Sequence, residues 1–66
     1  MKYNSIVYYE VLSLPVNPDP RQSPTLIGIF SELREAREKI MALHLTEKDE
    51  PEHNYWIEKV IKERVS

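Results

Sequence analysis

The sequence contains no cysteine and only one glycine in 66 residues. Without cysteine, neither disulfides nor thiolate zinc sites can hold the fold together. A chain of this length forms one domain at most and buries only about 60% of the surface that its unfolded form exposes. Oligomerisation is the usual alternative means of stabilising so small a domain. We therefore expect one domain over residues 1–66 that forms a homo-oligomer, in the simplest case a dimer.

The chain also lacks a strong charge of either sign and any long hydrophobic run. Its formal net charge is −2, which argues against nucleic-acid polymers and anionic membranes as partners. Polar residues interrupt the segment 1–14, so it does not have the pattern of a signal peptide. No apolar run approaches the roughly 18–20 residues of a membrane span. These absences predict a cytoplasmic protein that makes no contact with membranes.

Motifs for catalysis and metal binding are absent too. There is no glycine-rich phosphate loop, no nucleophile elbow and no zincin helix. His44 and His53 flank an acidic segment, but their spacing matches no known ligand pattern. Glu10 is a single carboxylate in an apolar run, and we interpret it as a residue paired across strands with Lys59 or Lys62. We expect neither an enzyme nor a protein with a cofactor or metal.

Residues 5–14 consist mainly of β-branched and aromatic residues, which predicts a strand. Apolar residues occupy both of its faces, as is typical of a central strand. Residues 15–24 contain four prolines and form a loop, because each proline removes a backbone donor. Residues 25–30 predict a second strand. Within it, Gly28 indicates a bulge or the close approach of the helix or an aromatic ring.

Residues 31–45 predict an amphipathic helix with Ser31 as its N-cap. Its apolar stripe consists of Leu33, Ala36, Ile40 and Leu43. Residues 46–53 read as a solvated acidic turn. The aromatic and β-branched content of residues 54–61 favours a third strand, whereas an amphipathic helix over 54–65 is the alternative.

These elements predict an α+β domain of ββαβ order, with ββαα as the alternative. In the first case a right-handed crossover gives a three-stranded mixed sheet of order 2-1-3 with the helix on one face. The other face of this sheet would then expose apolar and aromatic side chains. A patch of that kind marks an interface or a ligand site.

The segment LIGIFSELREAREKI, followed by YWIEKV, resembles small bacterial and phage domains of unknown function. Those domains share an IGVFSSxEEA strand-to-helix junction and a final YxIE strand. The resemblance covers residues 26–61 and departs from the pattern at Glu32 and Leu33, where the family has serine and an acid. It implies a third strand at the C-terminus and brings no activity with it.

Tyrosine and tryptophan are enriched at interfaces, and about half of the strand aromatics should point away from the helix. We expect a non-enzymatic accessory module that binds another protein, of the kind that phages or mobile elements use to occlude a host protein. The alternative is a homo-oligomer that sequesters a small ligand or nucleotide signal between its subunits. The residues expected to bind the partner or ligand are Tyr8, Glu10, Arg21, Tyr55, Trp56 and Glu58.

Overall fold

Three strands and one helix make up the computed structural model, which describes residues 3–47 and 50–65. The strands β1, β2 and β3 span Tyr3–Pro15, Thr25–Phe30 and His53–Val65, and the helix α1 spans Leu33–Thr46. The strand order is β2-β1-β3, which confirms the predicted ββαβ topology and the α+β class. β1 is antiparallel to both of its neighbours. No two neighbouring strands are parallel, so the sheet is antiparallel and the prediction of a mixed sheet is wrong.

The ladder between β1 and β3 decides the structure of the C-terminal segment. Thirteen consecutive Cα pairs join the two strands, from Tyr3 opposite Val65 to Pro15 opposite His53. The predicted third strand is confirmed and is longer than the expected 54–61, and the helix alternative is wrong. Pairing with β1 selects the strand, because it satisfies backbone groups of both segments over their whole length.

β2 has the predicted bounds and contains a bulge beside β1. Val11 pairs with Gly28, but the next residue, Leu12, pairs with Leu26, so Ile27 is the extra residue. A Cβ on Gly28 would lie 3.1 Å from the ring of Phe30. Both expectations for the glycine, a bulge and the close approach of an aromatic ring, are confirmed.

The helix begins at Leu33, and its N-cap lies one residue later than predicted. Glu32 is its N-cap, with no hydrogen bond from the side chain, so the prediction that Ser31 caps the helix is wrong. The Ser31 hydroxyl instead donates to Glu35 Oε1 at 3.3 Å. At the other end, the backbone N–H of Glu47 donates to the carbonyl of His44 at 3.1 Å.

The small hydrophobic core lies between α1 and one face of the sheet, which we call the covered face. Val11 of β1 and Ala36 of α1 are fully buried there, and Ser13 is nearly so. His44 of α1 makes an edge-to-face contact with the ring of Tyr55, 5.2 Å between centroids, and Tyr55 is the partner of Ser13 on β3. Three small or medium-sized side chains at the contact let the helix approach the sheet closely.

The loop between β1 and β2 is exposed from Val16 to Pro24, as predicted for the proline-rich segment. Asp19 organises its middle, because its Oδ1 accepts a hydrogen bond from the backbone N–H of Arg21 at 2.8 Å. This is a local Asx-type turn. In the part of the chain that the structure describes, no helix is both long enough and apolar enough to cross a membrane.

Candidate protein-binding face

The sheet face opposite α1 has no covering layer among the described residues, and we call it the open face. Side chains alternate between faces along a strand, and Cα partners share a face, so the strand registers define its members. It consists of Ile6, Tyr8, Glu10, Leu12 and Leu14 of β1, Leu26 and Ile29 of β2, and Asn54, Trp56, Glu58, Val60 and Lys62 of β3.

Apolar side chains on this face remain accessible to water. Ile6, Leu26 and Ile29 expose 45%, 48% and 58% of their surface. Tyr8 and Trp56 on the same face are half-buried. The expectation that one helix leaves an apolar sheet face bare is therefore confirmed for the residues that the structure describes.

Two carboxylates lie opposite each other in the middle of the open face. Glu10 of β1 pairs with Glu58 of β3, and like charges in directly opposed positions repel each other. The expected pairing of Glu10 with a lysine is wrong, because Lys59 lies opposite Tyr9 on the covered face and Lys62 lies opposite Ile6. The face thus presents a negative centre within an apolar surround.

We call Glu10 and Glu58 the acidic centre, and polar or aromatic neighbours contact only part of it. The indole Nε1 of Trp56 donates to Glu58 Oε1 at 3.3 Å. The ammonium group of Lys62 lies 5.8 Å from the centroid of the Tyr8 ring, which is within the range of a cation–π interaction. Glu10 is half-buried, and no ion pair to it is found among the described residues.

The structure brings together four of the six residues expected to form the binding site. Tyr8, Glu10, Trp56 and Glu58 share the open face. Tyr55 lies on the covered face instead, because it is adjacent to Trp56 and side chains alternate. Arg21 lies in the exposed loop that follows β1.

A second group of polar residues, which the sequence reading missed, joins the end of α1 to the start of β3. We call Glu47, His53 and Tyr55 the Glu47 cluster. The Tyr55 hydroxyl donates to Glu47 Oε1 at 2.9 Å, and His53 Nδ1 donates to the same oxygen at 2.7 Å. The backbone N–H of Glu52 donates to Glu47 Oε2 at 3.3 Å. The Glu47 side chain is only 9% exposed, although the segment around it was expected to be a solvated turn.

Hydrogen bonding and burial shift two pKa values in this cluster. The hydrogen bond from His53 holds the pKa of Glu47 below its ordinary value, against the opposing effect of burial. Burial raises the pKa of Tyr55, and the nearby Glu47 carboxylate raises it further. Both shifts favour the ionised carboxylate and the neutral phenol, which is the pair that makes the observed hydrogen bond.

Ligand atoms of Glu47, Glu52 and His53 all lie within 4.8 Å of one another, an arrangement that resembles part of a metal site. The oxygens of Glu47 already accept hydrogen bonds from three groups. The hydrogen bonds that join Glu47, at the end of α1, to β3 therefore account for this arrangement. The sequence carried one usable signal for it, a tyrosine and a histidine two positions apart on one strand face.

Comparisons of the chain with protein-family models, with curated proteins and with solved structures found no match.

Proposed function

We propose that the protein is a non-enzymatic module that binds another protein through the open face. The observation that carries this proposal is an apolar face of a three-stranded sheet that no layer covers among the described residues. In this proposal the module acts by occluding a surface of its partner, in the manner of an accessory protein of a phage or mobile element. No catalytic step is part of it.

The exposed surface area of the whole chain supports a protein partner. A compact protein of 7.8 kDa exposes about 4,400 Å² by the usual scaling with mass. This chain exposes 5493 Å², which is about 1,100 Å² more than that expectation. A standard protein–protein interface buries about 800 Å² on each partner. The excess is thus of the size that one protein partner would cover.

The acidic centre indicates the chemistry of that partner. Glu10 and Glu58 would lose water on contact, and buried charges need an opposite charge and hydrogen bonds to compensate. If two copies packed open face to open face, Glu10 and Glu58 of both copies would bring four carboxylates together. A partner with arginine or lysine in the middle of an apolar patch would complement both features. We therefore assign the open face to a different protein with that surface.

Site-specific photo-crosslinking tests this assignment. Benzoylphenylalanine is introduced in place of Ile29 on the open face and, as a matched control, in place of Arg37 on the exposed side of α1. Cells that naturally produce the protein are irradiated, and the products are identified by mass spectrometry. We expect one defined partner to be crosslinked from position 29 and not from position 37, at an apolar site that contains arginine or lysine.

Binding of the purified partner then provides the quantitative test. Trp56→Ala should weaken binding by about thirty-fold, because buried tryptophans are typical hot spots. Lys39→Ala on the polar side of α1 should leave binding unchanged. Circular dichroism must show that both variants remain folded. Equal crosslinking from the two positions, or none from position 29, would contradict the proposal. Crosslinking to a second copy with a co-purified ultraviolet-absorbing molecule would replace it with a homo-oligomeric ligand binder.

A further inference from the structure

We propose that the outer edge of β3 is a homodimer interface, at which two copies pair antiparallel about a two-fold axis through Ile61. This contact extends each sheet in its own plane. It uses the backbone edge of β3 and shares Glu58 with the open face. It is tested by charge reversal at Lys59 and Glu63 on the covered face, so its failure and the failure of the proposed binding function are distinguishable.

The geometry of β3 makes this edge available. β3 is the last strand in the order β2-β1-β3, so one of its two backbone edges has no strand beside it in the described structure. Its other edge pairs with β1 over thirteen residues with no shift in register. His53–Val65 contains no proline, and proline is one of the usual means of blocking an edge strand. A second strand can therefore pair with it.

The charge pattern along β3 favours a second copy of the chain as the strand that pairs with its outer edge. With Ile61 opposite Ile61 of the second copy, the register places Lys59 opposite Glu63 and Glu58 opposite Arg64. Ile57 is placed opposite Val65. Two-fold symmetry repeats each of these pairs. The resulting nine-residue pairing contains four pairs of opposite charge and none of like charge, and opposite charges in such positions stabilise a sheet.

Other two-fold registers lack this complementarity. An axis through Lys59 or Lys62 would place two lysines opposite each other, and an axis through Glu58 or Glu63 would do the same with two glutamates. An axis through Val60 pairs Glu58 with Lys62 but places Lys59 and Glu63 opposite isoleucines. The pattern of charges thus selects the axis through Ile61.

Three described side chains near the axis are accessible for such a contact. Ile61 is 56% exposed although it is apolar, because it lies on the covered face beyond the residues that pack on α1. Lys59 and Glu63 are exposed, and neither makes an ion pair within the described part of the chain. Charged residues usually protect an edge against pairing. Here the charges on β3 disfavour other registers, and in the register about Ile61 they lie opposite charges of the other sign on the second copy.

The dimer would consist of one six-stranded sheet. A two-fold axis perpendicular to the sheet places both helices on the same side and both open faces on the other. Each copy would keep its open face accessible, and the two faces would form one continuous surface. We expected a homo-oligomer because the chain is short. A dimer of this kind meets that expectation, but its contact is the edge of β3 and not the open face.

Charge reversal with sedimentation equilibrium tests the interface. The wild-type mass should rise with concentration from 7.8 kDa towards twice that value. Lys59→Glu and Glu63→Lys should each weaken association by roughly ten-fold, because each change reverses two symmetry-related pairs. The double variant should restore association. Lys39→Glu and Glu35→Lys on the helix surface change the net charge equally and should have no effect.

The register is tested by disulfide trapping, since the chain contains no other cysteine. Ile61→Cys places two thiols directly opposite each other and should give a disulfide-linked dimer under mild oxidation. Val60→Cys should give much less, because its symmetry partner is Lys62 on the second copy. Three results would overturn the proposal. These are a monomeric mass at all concentrations, an association constant that the charge reversals leave unchanged, and equal yields of disulfide-linked dimer from Val60→Cys and Ile61→Cys.

Discussion

Glu47 holds the C-terminal end of α1 against the first residues of β3. Its two oxygens accept hydrogen bonds from His53, Tyr55 and the backbone of Glu52. The turn between α1 and β3 contains a proline and several acids, which would favour a loose connection. These hydrogen bonds to one enclosed carboxylate instead tie the end of α1 to the first residues of β3.

The lowered pKa of Glu47 predicts a loss of stability in acid. A carboxyl group with a pKa lowered in the folded state contributes stability above its unfolded pKa, and that contribution is lost as the pH falls through the folded value. The free energy of unfolding should therefore decrease from about pH 4.5 downwards, the ordinary value for this group. Glu47→Gln should flatten this decrease, as measured by chemical denaturation at several pH values. Glu50→Gln, in the exposed part of the same turn, is the control, and equal pH profiles for the two variants would contradict the role of Glu47.

The Glu10–Glu58 pair lowers the stability of the isolated chain, since like charges face each other across two strands. Glu10→Lys should raise the free energy of unfolding by about 0.5–1 kcal/mol, because it converts a repulsive cross-strand pair into an attractive one. The same substitution should weaken binding of a cationic partner. Chemical denaturation and titration with the purified partner measure the two effects. A variant that is both less stable and equally well bound would show that the acidic pair is not a binding feature.

At the scale of elements, α1 contributes by covering part of one sheet face. Ile40 lies on its inner stripe and is half-buried, whereas its neighbour Met41 points outward and is exposed. Few side chains are completely buried beneath the helix, so the core has little redundancy.

Alanine substitution of Ile40 and of Met41 separates the contribution of side-chain packing to stability from that of helix propensity. Ile40→Ala should lower the free energy of unfolding by about 1–2 kcal/mol, which is below the range for fully buried isoleucines because the side chain is only half enclosed. Met41→Ala should change it by less than about 0.5 kcal/mol, as is usual for exposed positions. Urea denaturation of both variants provides the comparison. Equal losses would mean that α1 does not pack on the sheet through the assigned stripe.

At the scale of the whole molecule, one helix is too little to cover a three-stranded sheet with two apolar faces. The sheet also extends past α1 and β2, since β2 pairs only with residues 9–13 of β1. Both features leave apolar surface in water, and both proposed contacts follow from them. The open face offers area and a negative centre, while the edge of β3 offers backbone groups and a self-complementary charge pattern.

The sequence by itself determined β1, β2, α1 and the loop between the first two strands, favoured a third strand over a second helix, and indicated that one sheet face would be bare. Alternation of apolar residues, the proline-rich loop and the stripe of α1 are local patterns, and local patterns are sufficient to predict strands, loops and helices. They also predicted that about half of the strand aromatics would lie away from the helix, because the side-chain period of a strand is two.

Only the tertiary structure decided what depends on register. The shift at Ile27, the opposition of Glu10 and Glu58, and the position of Tyr55 on the covered face follow from which residues pair across strands. A shift of one residue would exchange the two faces of a strand, and no local pattern in this chain distinguishes such registers. Glu47 shows the same limit, since a carboxylate in an acidic turn becomes buried only when distant donors on β3 reach it.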